Sequence, residues 1–282
     1  MSIHSTAIIA EGAKIADSAE IGPYVVIGKG VSIGERTVVG PHCVIDGDTT
    51  IGADCKIYAS VAIGLDPQDL GYKGEFTGVK IGDRTTLREF VTIHRATKEG
   101  YTTLGNDCFL MNYSHIAHNC KVGNGVIMAN NATLGGYVEV GDNVVFGGTV
   151  AVHQNVKIGR LVMMGGITGT RKDMPPFAMM DGRPAKVCGI NLVGMKRNKF
   201  GPEIRKAVKD AYRMIYREGM NQKIALERVE AELGHYAEVQ EIVNFYRTSR
   251  RGVCIAMTSY DEIRDEAVSE EKPLAEAGVG DF

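Results

Sequence analysis

The amino-acid sequence predicts a mainly β protein: a parallel β-helix of hexapeptide repeats over 1–186, then a small α-helical C-terminal domain over 187–255. Three observations carry this prediction. An aliphatic residue returns at every sixth position, a second position of each hexad admits only small side chains, and the period turns helical in the last third of the chain.

The aliphatic beat runs from Ile3 to Ile63, from Ile81 to Ile93 and from Leu104 to Met164, through eleven, three and eleven hexads. Gly commonly follows the aliphatic, as in Ile21-Gly22 and Ile27-Gly28. Four positions after each aliphatic stands a small residue: Ala7, Ala13, Ala19, Val25, Val31, Thr37, Cys43 and so on. Two of six positions are therefore interior, and each hexad describes one wall of a coil. Three walls close one triangular turn, so the runs predict about eight coils stacked at the inter-strand spacing, a prism roughly 40 Å long.

The beat breaks twice. Between Ile63 and Ile81 the aliphatic positions carry Asp69 and Glu75, and Asp66-Pro67-Gln68-Asp69-Leu70-Gly71-Tyr72 is rich in loop formers, which predicts an excursion from the wall. After Ile93, Arg95 to Thr103 adds a second loop before the phase resumes at Leu104. Loops on a rigid scaffold are the usual carriers of binding groups. The prolines of Pro175-Pro176 cannot donate ladder hydrogen bonds and mark the expected end of the prism.

Beyond it, Ile204, Val208, Ala211 and Ile215 recur at helical spacing, as do Val239, Ile242, Val243 and Tyr246, with a shorter helix expected around Ile224 to Leu233. Residues 256–282 hold Glu262, Asp265, Glu266, Glu270 and Glu271 with little apolar content and read as an acidic, disordered tail.

Whole-chain properties fit a chain with one core and many turns: 282 residues, 44% hydrophobic, net charge −2 and 35 Gly. That balance gives no pointer to nucleic acid. The repeat begins at Ile3 with no basic and apolar leader, and no apolar stretch reaches the length of a transmembrane segment, so the expected compartment is cytoplasmic. Six Cys occur without a CxxC, and Cys43, Cys55, Cys108 and Cys120 fall at the small inward position, where they read as buried apolar residues.

The chemistry to weigh lies in the histidines. His115 and His118 sit in Tyr113-Ser114-His115-Ile116-Ala117-His118-Asn119-Cys120, and His153 in Ala151-Val152-His153-Gln154. Hexad phase turns all three outward, where an imidazole is free to exchange protons. Outward histidines on a β-wall are also compatible with simple solvation or a subunit contact. A zinc site of the kind built from three His at a subunit interface in carbonic anhydrase-like β-helices is a further reading, but the His pattern does not match it, and no metal is expected.

Taken in order, Pro67-Gln68-Asp69-Leu70, Ile93-His94-Arg95, His115-Ile116-Ala117-His118-Asn119-Cys120, Ala129-Asn130-Asn131-Ala132-Thr133-Leu134, Ala151-Val152-His153-Gln154 and Gly194-Met195-Lys196-Arg197 closely resemble the UDP-N-acetylglucosamine O-acyltransferase family of hexapeptide-repeat acyltransferases. The resemblance spans about residue 1 to about residue 255. It implies a left-handed coil, an exception to the usual handedness of parallel crossovers. It also implies a homotrimer with active clefts between prisms, and transfer of an (R)-3-hydroxyacyl chain from acyl carrier protein to the glucosamine 3-hydroxyl of UDP-N-acetylglucosamine, the first step of lipid A synthesis. No cofactor is implied beyond the phosphopantetheine that carries the donor.

By the same resemblance, His118 stands at the general-base position and the Gly136 N–H at the oxyanion position. Asp69 and His115 would meet the sugar, with Gln68 a further substrate-binding residue and His153 and Gln154 as active-site neighbours. Asn191 and Arg197 would meet the uridine and phosphates. Gly166 matches the place where side-chain size limits acyl length, and a Gly there implies a long chain. Arg205, Lys206, Lys209, Arg213 and Arg217 form a cationic set that would attract acidic acyl carrier protein.

Four residues depart from the family pattern: Asn119 where an Asp is common, Tyr137 for a His, Gly71 for a Lys and Asn198 for an Arg. The first removes a carboxylate that would raise the basicity of His118. The thinner positive charge leaves a 3-amino sugar open as the acceptor. An acetyl-CoA transferase of the same fold and a non-catalytic solenoid are also compatible with the repeat.

Overall fold

The computed structural model describes residues 2–257. Successive short strands turn through three faces, giving sheets of eleven, nine and eight strands that are parallel except for the last strand of the first, and within the coils each strand pairs with those a coil earlier and a coil later. On the second face the inward residues stack in register as Ile27, Ile45, Ile63, Ile93, Ile116, Leu134 and Val152, all buried. Stacking like on like lets every coil bury the edge of the one before it, which no single hexad can do alone. In the first described coil Ile3 remains 39% exposed.

The small inward positions are buried as their size requires, from Ala19 through Thr37, Cys43 and Cys120 to Thr168. Their polar atoms turn to backbone carbonyls: the Thr37 hydroxyl donates to Gly52 O at 2.8 Å and the Cys120 thiol to Gly135 O at 3.1 Å. Burial pushes the Cys120 thiol up to about 12, which leaves it neutral and unreactive.

Most corners turn in two residues with the second left-handed: Tyr24, His42, Phe90, Tyr113, Asn119 and Tyr137 all have φ near +60°. That conformation costs a side-chain-bearing residue. The corner N–H then donates to the preceding coil, as Tyr137 N–H does to His118 O at 3.0 Å. At Gly64 the wall leaves for the first loop with φ +74°, and an added Cβ would lie within 2.0 Å of Asp46 O, so only Gly fits.

The coil runs one turn further than the aliphatic beat predicts. Gly169–Thr170 pairs with Ala151–Val152, Met174 bridges to Ile158, and Ala178–Asp181 pairs with Met163–Met164. Thr170 holds an inward position without being aliphatic, which hid this coil in the sequence. An antiparallel strand, Lys186–Ile190, then closes the first face.

Four helices follow: α1 Leu192–Arg197, α2 Pro202–Arg217, α3 Gln222–Leu233 and α4 Ala237–Thr248. In α2, Ala207, Val208, Ala211, Tyr212, Met214 and Ile215 are buried and form the stripe that the period predicted. Polar links join the helices to the prism: Tyr212 OH donates to Pro176 O at 2.5 Å, Arg160 pairs with Glu241 at 2.7 Å, and Ser249 donates to Asp173 at 2.6 Å. Among the described residues no helix is long and apolar enough to cross a membrane. The expected tail lies outside the described residues except for Ala256 and Met257, which run beside Val187.

Candidate active site

The second face ends in the corner that carries His118, and both loops leave the coil at that corner. The loops are tied together by Arg95, whose Nε donates to Tyr72 OH at 3.0 Å and whose guanidinium also holds Gly64 O and the Asp66 carboxylate. A break in the beat thus becomes a braced edge of the site. Gln68 is exposed at the tip of the first loop, and Asp69 is half-buried beside it. The Gly71 N–H, donating at 2.8 Å, holds the Asp69 carboxyl below the usual carboxylate range, and the positive form of His118 adds to the effect.

His118 is held by Asn119. The side-chain carbonyl of Asn119 accepts from Thr97 N–H at 2.9 Å, and its amide nitrogen donates to Thr97 O and Glu99 O, both at 3.3 Å. Three bonds to the second loop therefore fix which end of the amide faces His118. The atom it presents to His118 Nδ1, at 3.0 Å, is the acceptor oxygen. Nδ1 must then carry the hydrogen, which leaves Nε2 with its lone pair outward. The replacement of the common acid by Asn gives up a charge and keeps the orientation.

Gly136 lies against the ring. A Cβ added there would stand 2.5 Å from His118 Cε1 and 2.6 Å from Nε2, so the approach exists only because the residue is Gly. The Gly136 N–H makes no hydrogen bond within the described residues, whereas its carbonyl accepts from Asn155 N–H at 2.9 Å. Tyr137 meets the same imidazole edge-on at 5.3 Å between ring centres.

His115 lies on the outer side of the second face. Its Nδ1 is bonded to the Thr92 hydroxyl at 2.7 Å, and its ring meets His94 at 4.8 Å. Burial, with His94 and His118 adding, pulls His115 down to about 4, and burial likewise lowers His94. His115 is therefore neutral near pH 7. An unfolded His takes its proton near 6.5 while the folded one waits until about 4, so stability is fully present above 6.5 and is lost as pH falls through that window. The urea midpoint of the wild type should drop more between pH 7 and pH 4.5 than that of His115→Gln, and equal drops would contradict this assignment. His94, whose Nδ1 is buried without a bond, is a neighbour of the site to which the motif Ile93-His94-Arg95 assigned no role.

The remaining candidates spread along the prism. His153 and Gln154 are exposed at the same edge two coils beyond His118, with His153 Nδ1 3.2 Å from Gln154 O. Gly166 lies three coils on, at the opposite edge of the second face, roughly 14 Å away along the axis. An added Cβ there meets only Gly148 O at 3.5 Å, so the space is open. Asn191 caps α1: its side-chain oxygen accepts from Gly194 N–H and its amide donates to Leu161 O, both at 2.8 Å. Arg197 is exposed in the last turn of that helix. Neither joins His118 within one chain.

Repeated hexapeptide coils, two braced loops and an outward His define the class of hexapeptide transferases. Residues 12–47 and 101–136 match the family model described as bacterial transferase hexapeptide (six repeats), and 173–254 match that of UDP-N-acetylglucosamine O-acyltransferase, domain 2. The chain is similar to the acyl-[acyl-carrier-protein]–UDP-N-acetylglucosamine O-acyltransferase of Aquifex aeolicus, at 55% identity over 90% of this chain and 98% of that one. It is also similar to the protein of the same name from Chlamydia abortus, at 44% over 98% and 99%. The solved UDP-N-acetylglucosamine acyltransferase of Francisella novicida superposes with a TM-score of 0.88 at 37% identity, over 96% of this chain and 99% of that one. The chain belongs to the acyl-[acyl-carrier-protein]–UDP-N-acetylglucosamine O-acyltransferase family. It is an acyltransferase, and its β-helix is left-handed.

Proposed function

We propose that the protein transfers an (R)-3-hydroxyacyl chain from acyl carrier protein to the glucosamine 3-hydroxyl of UDP-N-acetylglucosamine, the first step of lipid A biosynthesis, in the cytoplasm. The observation that carries the mechanism is the fixed tautomer of His118. With hydrogen held on Nδ1 by Asn119, Nε2 takes the proton of the sugar hydroxyl as its oxygen attacks the thioester carbonyl. The negative charge that develops on the carbonyl oxygen meets the Gly136 N–H. The tetrahedral species then expels the phosphopantetheine thiolate, which recovers the proton from the imidazolium.

Asp69 and Gln68 on the first loop and neutral His115 on the wall present polar groups to the sugar. His153 and Gln154 flank the acyl chain's path, and Arg197, on a helix anchored by Asn191, offers a guanidinium to the diphosphate of a sugar bound across from it.

The active assembly is a homotrimer in this reading. The outward positions of the third face are largely charged, with Lys14, Lys80, Lys121, Glu139 and Lys157. The corner between the first and second faces instead exposes Tyr24, Phe90, Tyr113 and Ile167, Tyr113 by 56% and Ile167 by 67%. An apolar edge of this kind is an interaction site. A copy seated on it covers the second face and turns the open wall at His115 and His118 into a cleft. Sedimentation should give three chains per particle, and a monomer would remove the cleft.

The reaction is tested by incubating purified protein with UDP-N-acetylglucosamine and a series of (R)-3-hydroxyacyl carrier proteins, reading products by mass spectrometry. One acylated sugar nucleotide is expected, with a long chain preferred because Gly166 leaves the path open. Product only with the 3-amino sugar would move the reading to amide formation, and none with either acceptor would sink it.

A further inference from the structure

The body of the protein and its C-terminal segment carry opposite charge. Residues 258–282 contain eight Asp and Glu against Arg264 and Lys272, a net −6 in a chain whose total is −2, which leaves +4 on residues 1–257. The chain leaves the described region at Met257, whose N–H donates to Val187 O at 2.9 Å. Val187 belongs to the strand Lys186–Ile190, which passes through Asn191 directly into α1. The segment therefore starts beside the entrance to the first two helices.

Those helices present cations of two kinds. Lys206 and Arg213 are both spent on Asp210, and Arg213 also pairs with Glu218. Lys196 in α1, Lys199 just beyond it, and Arg205 and Lys209 in α2 have no acidic partner among the described residues, and all but the partly covered Arg205 are exposed. Only residues 198–201 separate the two helices. An unneutralised cationic surface thus lies a few residues of chain away from an acidic segment of 25 residues, which can reach as far as roughly 80 Å.

We propose that residues 258–282 dock on this α1–α2 surface and compete there with acidic acyl carrier protein. The competition rests on Arg205 and Lys209, which belong to the cationic set read as the carrier's docking site. The attraction is between exposed groups and so is screened by salt. Tethering compensates for weak contacts, because a short linker holds the segment at an effective concentration of about millimolar. The segment then sets the carrier concentration at which the enzyme works without touching the chemistry.

The test uses the full chain. Zero-length carbodiimide crosslinking at low salt, mapped by mass spectrometry, should join segment carboxylates to Lys196, Lys199 or Lys209. A variant carrying Glu262→Gln, Asp265→Asn, Glu266→Gln, Glu270→Gln and Glu271→Gln should show a KM for acyl carrier protein several-fold below that of the wild type at low salt. The two should converge at high salt, with kcat and the KM for the sugar nucleotide unchanged. Absence of those crosslinks together with equal KM values would overturn the proposal. Crosslinks with equal KM values would overturn the competition and locate the fault in the carrier's docking site. No crosslinks, with a carrier KM that rises in Lys209→Glu, would keep that docking site and remove the segment from it.

Discussion

His118→Ala is expected to lower acyl transfer by about 10²–10⁴-fold, the usual contribution of a positioned general base. The alcohol is a poor nucleophile until its proton has somewhere to go, and His118 Nε2 is the atom that the surrounding bonds leave free. The loss should appear in kcat, because the imidazole acts on a proton that moves only as the transition state forms. The KM values for sugar nucleotide and carrier protein should stay within a few-fold of wild type. The variant should fold, since His118 is only half-buried at a corner and the core residues Ile116 and Cys120 beside it are untouched. Single-turnover measurement of purified His118→Ala with an unchanged melting midpoint is the check. Transfer within a few-fold of wild type would remove His118 as the base and leave the solenoid as a scaffold for another group.

Asn119 decides how far that base depends on charge. A carboxylate at this position would both orient the imidazole and stabilise its protonated form, whereas the Asn119 oxygen orients it through a neutral bond. The three bonds that hold the amide come from the second loop, so in the proposed mechanism the break after Ile93 orients the base without supplying a reacting side chain.

The fold was legible because its dominant force is periodic. Inward Ile, Leu and Val repeat every six residues and stack on their own kind, so one phase count places whole faces. The last coil is hidden because Thr170 fills an aliphatic position with a side chain that is buried by hydrogen-bonding to Lys172 O instead. The α1 helix is hidden because six residues are too few to show a period, and its cap, Asn191, reads as a ligand candidate just as well. The outward placement of His118 was legible from phase, and the two loops from the breaks in the beat. His94 was not: its contact with His115 crosses coils, and a loop between them shifts the partner offset from 18 residues, as in Val44 with Ala62, to 23, as in Thr92 with His115. The bond between Thr97 and Asn119 starts inside that loop, where no strand register places the partner, and is invisible for that reason.

Gly136→Ala is expected to cost about 10²-fold in transfer with little loss of stability. The added methyl would lie 2.5 Å from His118 Cε1, closer than carbon atoms can approach, so one of the two must move. The Gly136 backbone is held by the bond from Asn155 N–H to its carbonyl, and the two neighbouring corner residues are themselves bonded between coils. The ring is held by a single side-chain bond to Asn119, so the ring is what yields. A displacement of about 1 Å at a reacting atom is enough for a loss of this size. The oxyanion N–H stays in place, because Ala keeps its backbone hydrogen. A crystal structure of the variant should therefore show an unshifted coil and a rotated imidazole. Loss in Gly136→Ala with an unmoved imidazole would transfer the effect to a blocked acyl path, and full activity would show that the ring has more freedom than its bond to Asn119 implies.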